Sequence, residues 1–174
     1  KKEIKPFAFT IMTLDTHYGT YRFADDICER KFGPHNNIEN VISCSDKQIH
    51  HFIEWLKAQD FYNDTVVVIV GDHLTMNQRF TDDMDRKIVN IFINTPVAAI
   101  NTKNRTFTPF DIYPTIVESL GAKIEGHRLG LGTSLFSDTP TLTEEKFKVE
   151  EMDIEVRKKS KIYDWLLYGK NVRN

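Results

Sequence analysis

The sequence predicts an α/β protein with a largely parallel sheet and helices on both faces of that sheet. Two runs of β-branched and aromatic residues, at positions 6–14 and 65–70, have the composition of strands buried on both faces. Between them, apolar residues recur with the 3.6-residue period of a helix. Strands that alternate with helices are typical of a parallel sheet.

The first half of the chain contains three of the predicted elements. Residues 6–14 form the first strand and run into the polar loop that begins at Asp15. A helix follows over residues 37–59, with one apolar stripe that includes Val41, Phe52 and Leu56. The segment 65–70 is six residues without a charge, and it is the most strand-like run in the sequence.

The second half begins with a polar stretch over residues 74–86 and a third strand over residues 88–93. A second helix then runs to Leu120, with Thr108 as its N-cap, Pro109 in its first turn and Gly121 just beyond its end. We expect residues 1–140 to belong to one domain. Residues 141–174 form a charged extension that is helical near its end.

The charge of the chain excludes some classes of partner. With a net charge of −2, the whole chain has no general attraction for nucleic acid or anionic lipid. No apolar run approaches the roughly 18 residues that a membrane span requires. The two cysteines, Cys28 and Cys44, are either free thiols or one disulfide, and composition slightly favours free thiols.

Candidate site residues lie where the two most apolar strands end. Asp72 and His73 follow the strand at 65–70, and His17 follows the strand at 6–14. Ligands bind at the carboxyl ends of parallel strands, and carboxylate and imidazole groups are ligands for zinc or manganese. Alternatively, Asp72 caps the next segment and His73 is merely exposed. Arg128 is a weaker candidate for binding an anion, because a position in a solvated loop is the more common explanation for such a residue.

Five segments, in this order along the chain, carry a family resemblance: TLDTHYG at 13–19, CSD at 44–46, NDTVVVIVGDHLTMN at 63–77, TPFDIYPTIVESLG at 108–121 and RLGLGTSLF at 128–136. Together they span about three-quarters of the chain. They resemble the C-terminal part of the catalytic domain in the alkaline phosphatase/sulfatase superfamily. Within that superfamily they are most similar to bacterial membrane phosphoglycerol transferases of the lipoteichoic acid synthase and osmoregulated-glucan type.

The resemblance implies an alkaline-phosphatase-like fold and roles for particular residues. Asp72 and His73 match the pair that binds the catalytic divalent metal, Mn2+ or Zn2+, and His17 matches a histidine that contacts the substrate phosphate. The helix with Asp111 and Thr115 matches one whose role in the family is structural. No residue of this chain matches the family's threonine nucleophile, which is expected upstream together with a further acidic ligand, so the chain alone is expected to be inactive.

The resemblance also implies an activity and a location. It implies a transferase that moves phosphoglycerol from a phosphatidylglycerol-type lipid to a hydroxyl of a glycan or polymer. The catalytic domain of such an enzyme faces the periplasmic or extracellular side of the bacterial cell membrane, a setting that favours a Cys28–Cys44 disulfide. Expected partners are the anionic phospholipid head group, the glycan acceptor and the upstream half of the same domain; without that half, self-association is a risk.

Two other functions are compatible with the same residues. One is a sulfatase or phosphoethanolamine transferase of the same superfamily. The other is a non-catalytic module that has the fold without its nucleophile and binds a glycan or a protein partner.

Overall fold

A computed structural model of the chain describes residues 5–19, 26–34, 37–76 and 87–169. The chain divides into two compact units. Unit 1 comprises Lys1–Asp64 and His73–Val89, and unit 2 comprises Thr65–Asp72 and Asn90–Asn174. Among the described residues, no helix has both the length and the apolar character needed to cross a membrane.

Unit 1 is built on helix α1, Asn37–Lys57, which confirms the predicted helix and ends two residues earlier than expected. Its last turn tightens as the amides of Ala58 and Gln59 donate to carbonyls three residues back. The buried side chain of Asn40 accepts a hydrogen bond from the amide of Phe32 at 3.0 Å and donates to the carbonyl of Gly33 at 2.8 Å. One buried amide thus attaches the preceding loop to the helix.

The predicted first strand is not a strand in the structure. Residues 6–14 have no regular structure, and Phe7, Phe9 and Met12 are each about three-quarters exposed, at 77%, 75% and 76%. A central strand needs neighbouring strands along its edges and other elements that cover its two apolar faces. The described part of unit 1 contains no strand that could pair with residues 6–14. The prediction for this segment was therefore wrong.

Unit 2 contains the second correction to the expected fold. The strands β1, Val67–Val70, and β2, Asn90–Ile93, pair antiparallel with Val67 opposite Ile93. The Asn94 side chain donates to the Thr65 carbonyl at 2.9 Å and so fixes the register at the end of this hairpin. Within the described ranges every strand pairing is antiparallel, whereas parallel neighbours were expected.

The rest of unit 2 is one longer helix followed by short elements. The helix α2, Pro109–Ser119, begins after Thr108 as predicted, and Gly121 follows it with a φ of 87°. A small antiparallel hairpin and three helices complete the unit; they are β3, Arg128–Leu129, β4, Gly132–Thr133, α3, Leu142–Glu145, α4, Val149–Val156, and α5, Lys161–Tyr168. Short 3₁₀ turns lie at Tyr62–Asp64 in unit 1 and at Glu125–His127 in unit 2. The predicted division at residue 140 stays a prediction.

Candidate functional site

The strand β1 positions the first candidate site residues. It ends at Val70, and Gly71 leads directly to Asp72 and His73, whose side chains are both exposed. Val70 itself is 43% exposed, so the strand is less buried than its composition predicted. The acidic and imidazole groups therefore follow directly after the carboxyl end of an apolar strand, and both are exposed to solvent.

A hydrogen bond determines the tautomer of His73. Its Nδ1 lies 2.7 Å from the carbonyl oxygen of Leu74. Because a carbonyl oxygen only accepts, Nδ1 carries the proton and donates to it. In the neutral ring the lone pair is then on Nε2, which is the atom that a histidine held in this way offers to a metal.

Asp72 and His73 are residue types that bind divalent cations, but two ligands are fewer than a metal site usually has. Aspartate oxygen and imidazole nitrogen are donors that zinc and manganese accept. A catalytic zinc site usually has three protein ligands. In the part of the chain that the structure describes, no group of three or more His, Cys, Asp and Glu residues could hold a metal ion.

His17 lies in a turn after the irregular segment of unit 1. Its amide donates to the Leu14 carbonyl at 3.1 Å, and its side chain is exposed. The structure assigns His17 and His73 to unit 1 and Asp72 to unit 2. The convergence of His17 with Asp72 on one substrate therefore stays a prediction.

Arg128 already has partners in unit 2. Its Nη2 donates to the Pro140 carbonyl at 2.9 Å and forms an ion pair with the Glu145 carboxylate. Its Nε is buried and has no acceptor among the described residues. The ion pair reduces the attraction that this guanidinium could offer to a substrate anion.

The two cysteines form a disulfide between Cys28 and Cys44. Both are buried, and the bond joins the loop before α1 to the middle of that helix. The sequence left both free thiols and a disulfide open. The structure has the disulfide, which the family resemblance favoured.

The segments 108–121 and 128–136 pack on each other through buried polar groups. Asp111, 1% exposed, accepts from the Thr133 amide at 2.7 Å with one oxygen and from the Thr108 amide at 2.7 Å with the other. Thr115, also fully buried, accepts from the Leu135 amide at 2.9 Å. These side chains connect α2 to the hairpin, so their role is structural, as the family resemblance implied.

Comparison with known proteins gives the family. The model of the Sulfatase family matches residues 1–122, which is more than half of the chain.

The chain belongs to the Sulfatase family.

Curated relatives carry the name phosphoglycerol transferase I. Those from Escherichia coli O139:H28 (strain E24377A / ETEC) and from Shigella boydii serotype 18 are each 30% identical over 138 residues. The match covers 75% of this chain and 18% of each relative, so the chain spans under a fifth of their length. No solved structure matches.

An ion pair that sequence reasoning missed holds two segments of this Sulfatase-family chain together. Arg105 Nε donates to Glu144 at 2.8 Å, and its two Nη atoms donate to the carbonyls of Ser137 and Thr139 at 2.9 and 2.8 Å. The Arg105 side chain is only 7% exposed. No sequence signal identifies this pair, because its members are 39 positions apart and neither lies in a recognisable motif.

The surroundings of Glu144 shift its pKa. Burial raises the pKa of this carboxyl, but the hydrogen bonds from Arg105 and from the amides of Thr141 and Thr106 lower it by more. The net result is a pKa below the ordinary value of 4.5. Glu144 is therefore held ionised as a structural anchor of unit 2.

A second missed pair joins His127 to Glu118. The Nδ1 of His127 lies 2.7 Å from a carboxylate oxygen of Glu118, which is buried on α2. The His127 backbone has a φ of 59°, and its carbonyl accepts from the Ser134 amide at 2.8 Å. His127 thus stabilises the turn before the hairpin, and its ring is oriented towards the helix.

Proposed function

We propose that this chain supplies the Asp72–His73 part of the catalytic site of a metal-dependent phosphoglycerol transferase, whose nucleophile lies in a preceding part of a longer protein. The observation that carries the proposal is the His73 ring, whose Nδ1–H is held by a backbone carbonyl at the exposed end of β1. Membership of the Sulfatase family and similarity to proteins named phosphoglycerol transferase I support the reaction class.

In this proposal the parent enzyme transfers phosphoglycerol from a phosphatidylglycerol-type lipid to a glycan or polymer hydroxyl, on the outer side of the bacterial cell membrane. Asp72 and Nε2 of His73 would hold Mn2+ or Zn2+, which when bound lowers the pKa of a nucleophile and offsets charge on the transferred group. His17 donates a hydrogen bond to a phosphoryl oxygen. Arg128 is a weaker contact, since Glu145 already pairs with it.

The test uses the complete natural protein in phosphatidylglycerol vesicles with a glycan acceptor. Diacylglycerol release measures transfer, and elemental analysis measures bound manganese and zinc. We expect Asp72→Asn and His73→Gln each to lower the rate by about a hundredfold or more, because a bound metal contributes several kcal/mol to stabilisation of the transition state. Both variants should also lose bound metal.

The matched controls change the same residue types at exposed positions away from the strand end. Asp60→Asn lies in the turn after α1, and His51→Gln lies on α1. Both should keep rate and metal content. Retention of metal by Asp72→Asn would reject the site, whereas sulfate release from an aryl sulfate without diacylglycerol release would reject phosphoglycerol transfer.

A further inference from the structure

The last described helix of unit 2 exposes an apolar surface. In α5 the large apolar side chains are all exposed; Ile162 is 73%, Leu166 67% and Trp165 52% exposed. Asp164, the one acidic residue of α5, is less exposed than these neighbours. Exposed contiguous apolar surface on a protein usually marks an interaction site, whereas single exposed apolar residues need no explanation.

The arrangement of residues on α5 is that of an interfacial helix. At 100° per residue, Ile162, Tyr163 and Leu166 share one side of the helix, and Lys161 lies on the other. At the same spacing Leu167 lies beside Tyr163, Trp165 lies between Ile162 and Lys161, and Tyr168 lies beside Lys161 at the end of the helix. Tryptophan and tyrosine are enriched at membrane–water interfaces because each has an apolar ring and a polar group.

Charge is distributed very unevenly along the chain. Residues 157–174 contain six Lys and Arg residues and one Asp, a net charge of +5, while the whole chain has a net charge of −2. Residues 1–156 therefore carry −7. The net charge of the whole chain therefore conceals a strongly positive C-terminal segment.

Some of this positive charge is already paired. Arg157 forms an ion pair with Asp153 of α4, and Lys158 forms one with Glu155. Within the described ranges Lys159 and Lys161 form no ion pair, and both are exposed. These two lysines stand immediately before and at the start of α5, where they can meet anionic head groups while its apolar side enters the interface.

We propose that α5 with its preceding basic residues docks on an anionic lipid bilayer, lying in the plane of the membrane surface. Burial of the exposed apolar side chains of α5 in the bilayer interface supplies one part of the affinity. Attraction between the basic residues and lipid phosphates supplies the other. A protein partner would also cover an apolar surface, but tryptophan and tyrosine on one short helix, with Lys159 and Lys161 at its start, fit the lipid interface specifically. The proposal does not depend on the enzyme reaction.

The test measures co-sedimentation of the full chain with vesicles. One set contains 30% phosphatidylglycerol in phosphatidylcholine, and the other is pure phosphatidylcholine. We expect at least tenfold tighter binding to the anionic vesicles, and a severalfold loss when the salt concentration rises from 0.05 to 0.5 M, because salt screens the attraction. Equal binding to both vesicle sets, or no binding to either, would overturn the proposal.

Two pairs of variants separate the apolar and electrostatic contributions. Trp165→Ser should weaken binding tenfold or more, while Trp55→Ser should not, although Trp55 on α1 is similarly exposed at 54%. The double variant Lys159→Glu/Lys161→Glu should also bind anionic vesicles at least tenfold more weakly. Its control, Lys103→Glu/Lys123→Glu, makes the same change in net charge at exposed positions and should bind normally. Equal loss in a variant and its control would refute the role of α5.

Further measurements address folding and other occupants of the surface. Circular dichroism checks that each variant is folded, and in a Trp55→Phe background the Trp165 fluorescence should shift to shorter wavelength when anionic vesicles are added. Analytical ultracentrifugation tests for a second copy of the chain on this surface. A dimer that Trp165→Ser dissociates, with no vesicle binding by the parent chain, would assign the surface to self-association and reject lipid docking.

Discussion

At the scale of single residues, unit 2 depends on an ion pair with many hydrogen bonds, between the Arg105 side chain, which is 7% exposed, and the Glu144 side chain, which is 21% exposed. Arg105 donates to one carboxylate and two carbonyls, and Glu144 accepts from this guanidinium and from two amides. An unpaired charge at such a site would cost several kcal/mol. The pair therefore holds the loop after Arg105 against the start of α3, and its members are not exchangeable for other charged residues.

The lowered pKa of Glu144 predicts how the stability of unit 2 changes with pH. A carboxyl whose folded-state pKa is below its unfolded-state value stabilises the fold fully above the unfolded-state pKa. That contribution is lost as the pH falls through the lower folded-state pKa. We expect Glu144→Gln to lower the free energy of unfolding by roughly 2 kcal/mol at neutral pH and to reduce its fall below about pH 4.5.

Urea unfolding at several pH values between about 3 and 7 checks this prediction. Glu125→Gln is the matched control, since Glu125 is exposed in a 3₁₀ turn and its removal should leave stability nearly unchanged. If the parent chain and Glu144→Gln lose stability in parallel below pH 4.5, the carboxylate is not the group responsible.

At the scale of elements, the contact between β4 and the start of α2 requires glycine. A Cβ on Gly132 would overlap the carbonyl oxygen of Phe110 and lie 2.6 Å from its carbon. Both atoms belong to backbone, which cannot rotate away as a side chain can. We expect Gly132→Ala to lower the free energy of unfolding by about 2 kcal/mol or more, as overpacked sites do, and calorimetry would measure it.

Gly130 provides the comparison within the same hairpin. It has a φ of 60°, and a Cβ there would meet no atom within 4 Å. Gly130→Ala should therefore cost only the backbone strain of about 1 kcal/mol. If both variants lose equal stability, steric contact with α2 does not explain the glycine at position 132.

The elements that the sequence predicted correctly are those whose signals are local. Helix α2 has its N-cap Thr108, its Pro109 and its terminal Gly121 within one short stretch, and α1 has a long apolar stripe. Pairing of strands is not local, because the partner and direction of β1 depend on residues that are 20 to 26 positions away. An apolar composition consequently indicated strands but not their antiparallel direction, and it could not show that residues 6–14 have no paired strand among the described residues.

At the scale of the whole molecule, the candidate site was only partly predictable. The Asp72–His73 pair was recognisable because it follows an apolar run directly and matches a family motif. The hydrogen bond that sets the His73 tautomer was not recognisable from the sequence, because it depends on the path that the backbone takes after β1. Likewise, the Arg105–Glu144 pair spans 39 positions and depends on tertiary structure alone.

The disulfide makes unit 1 sensitive to redox conditions. Cys28 and Cys44 are 16 positions apart, and closing a loop of this length lowers the entropy of the unfolded chain by an amount worth about 3 kcal/mol. We expect Cys28→Ser/Cys44→Ser, or reduction of the parent chain, to lower the free energy of unfolding by that amount in urea titrations. Because the double variant has no bond to break, dithiothreitol should not change it further. Equal stability of the oxidised and reduced parent chain would show that α1 and Asn40 hold the loop without the bond.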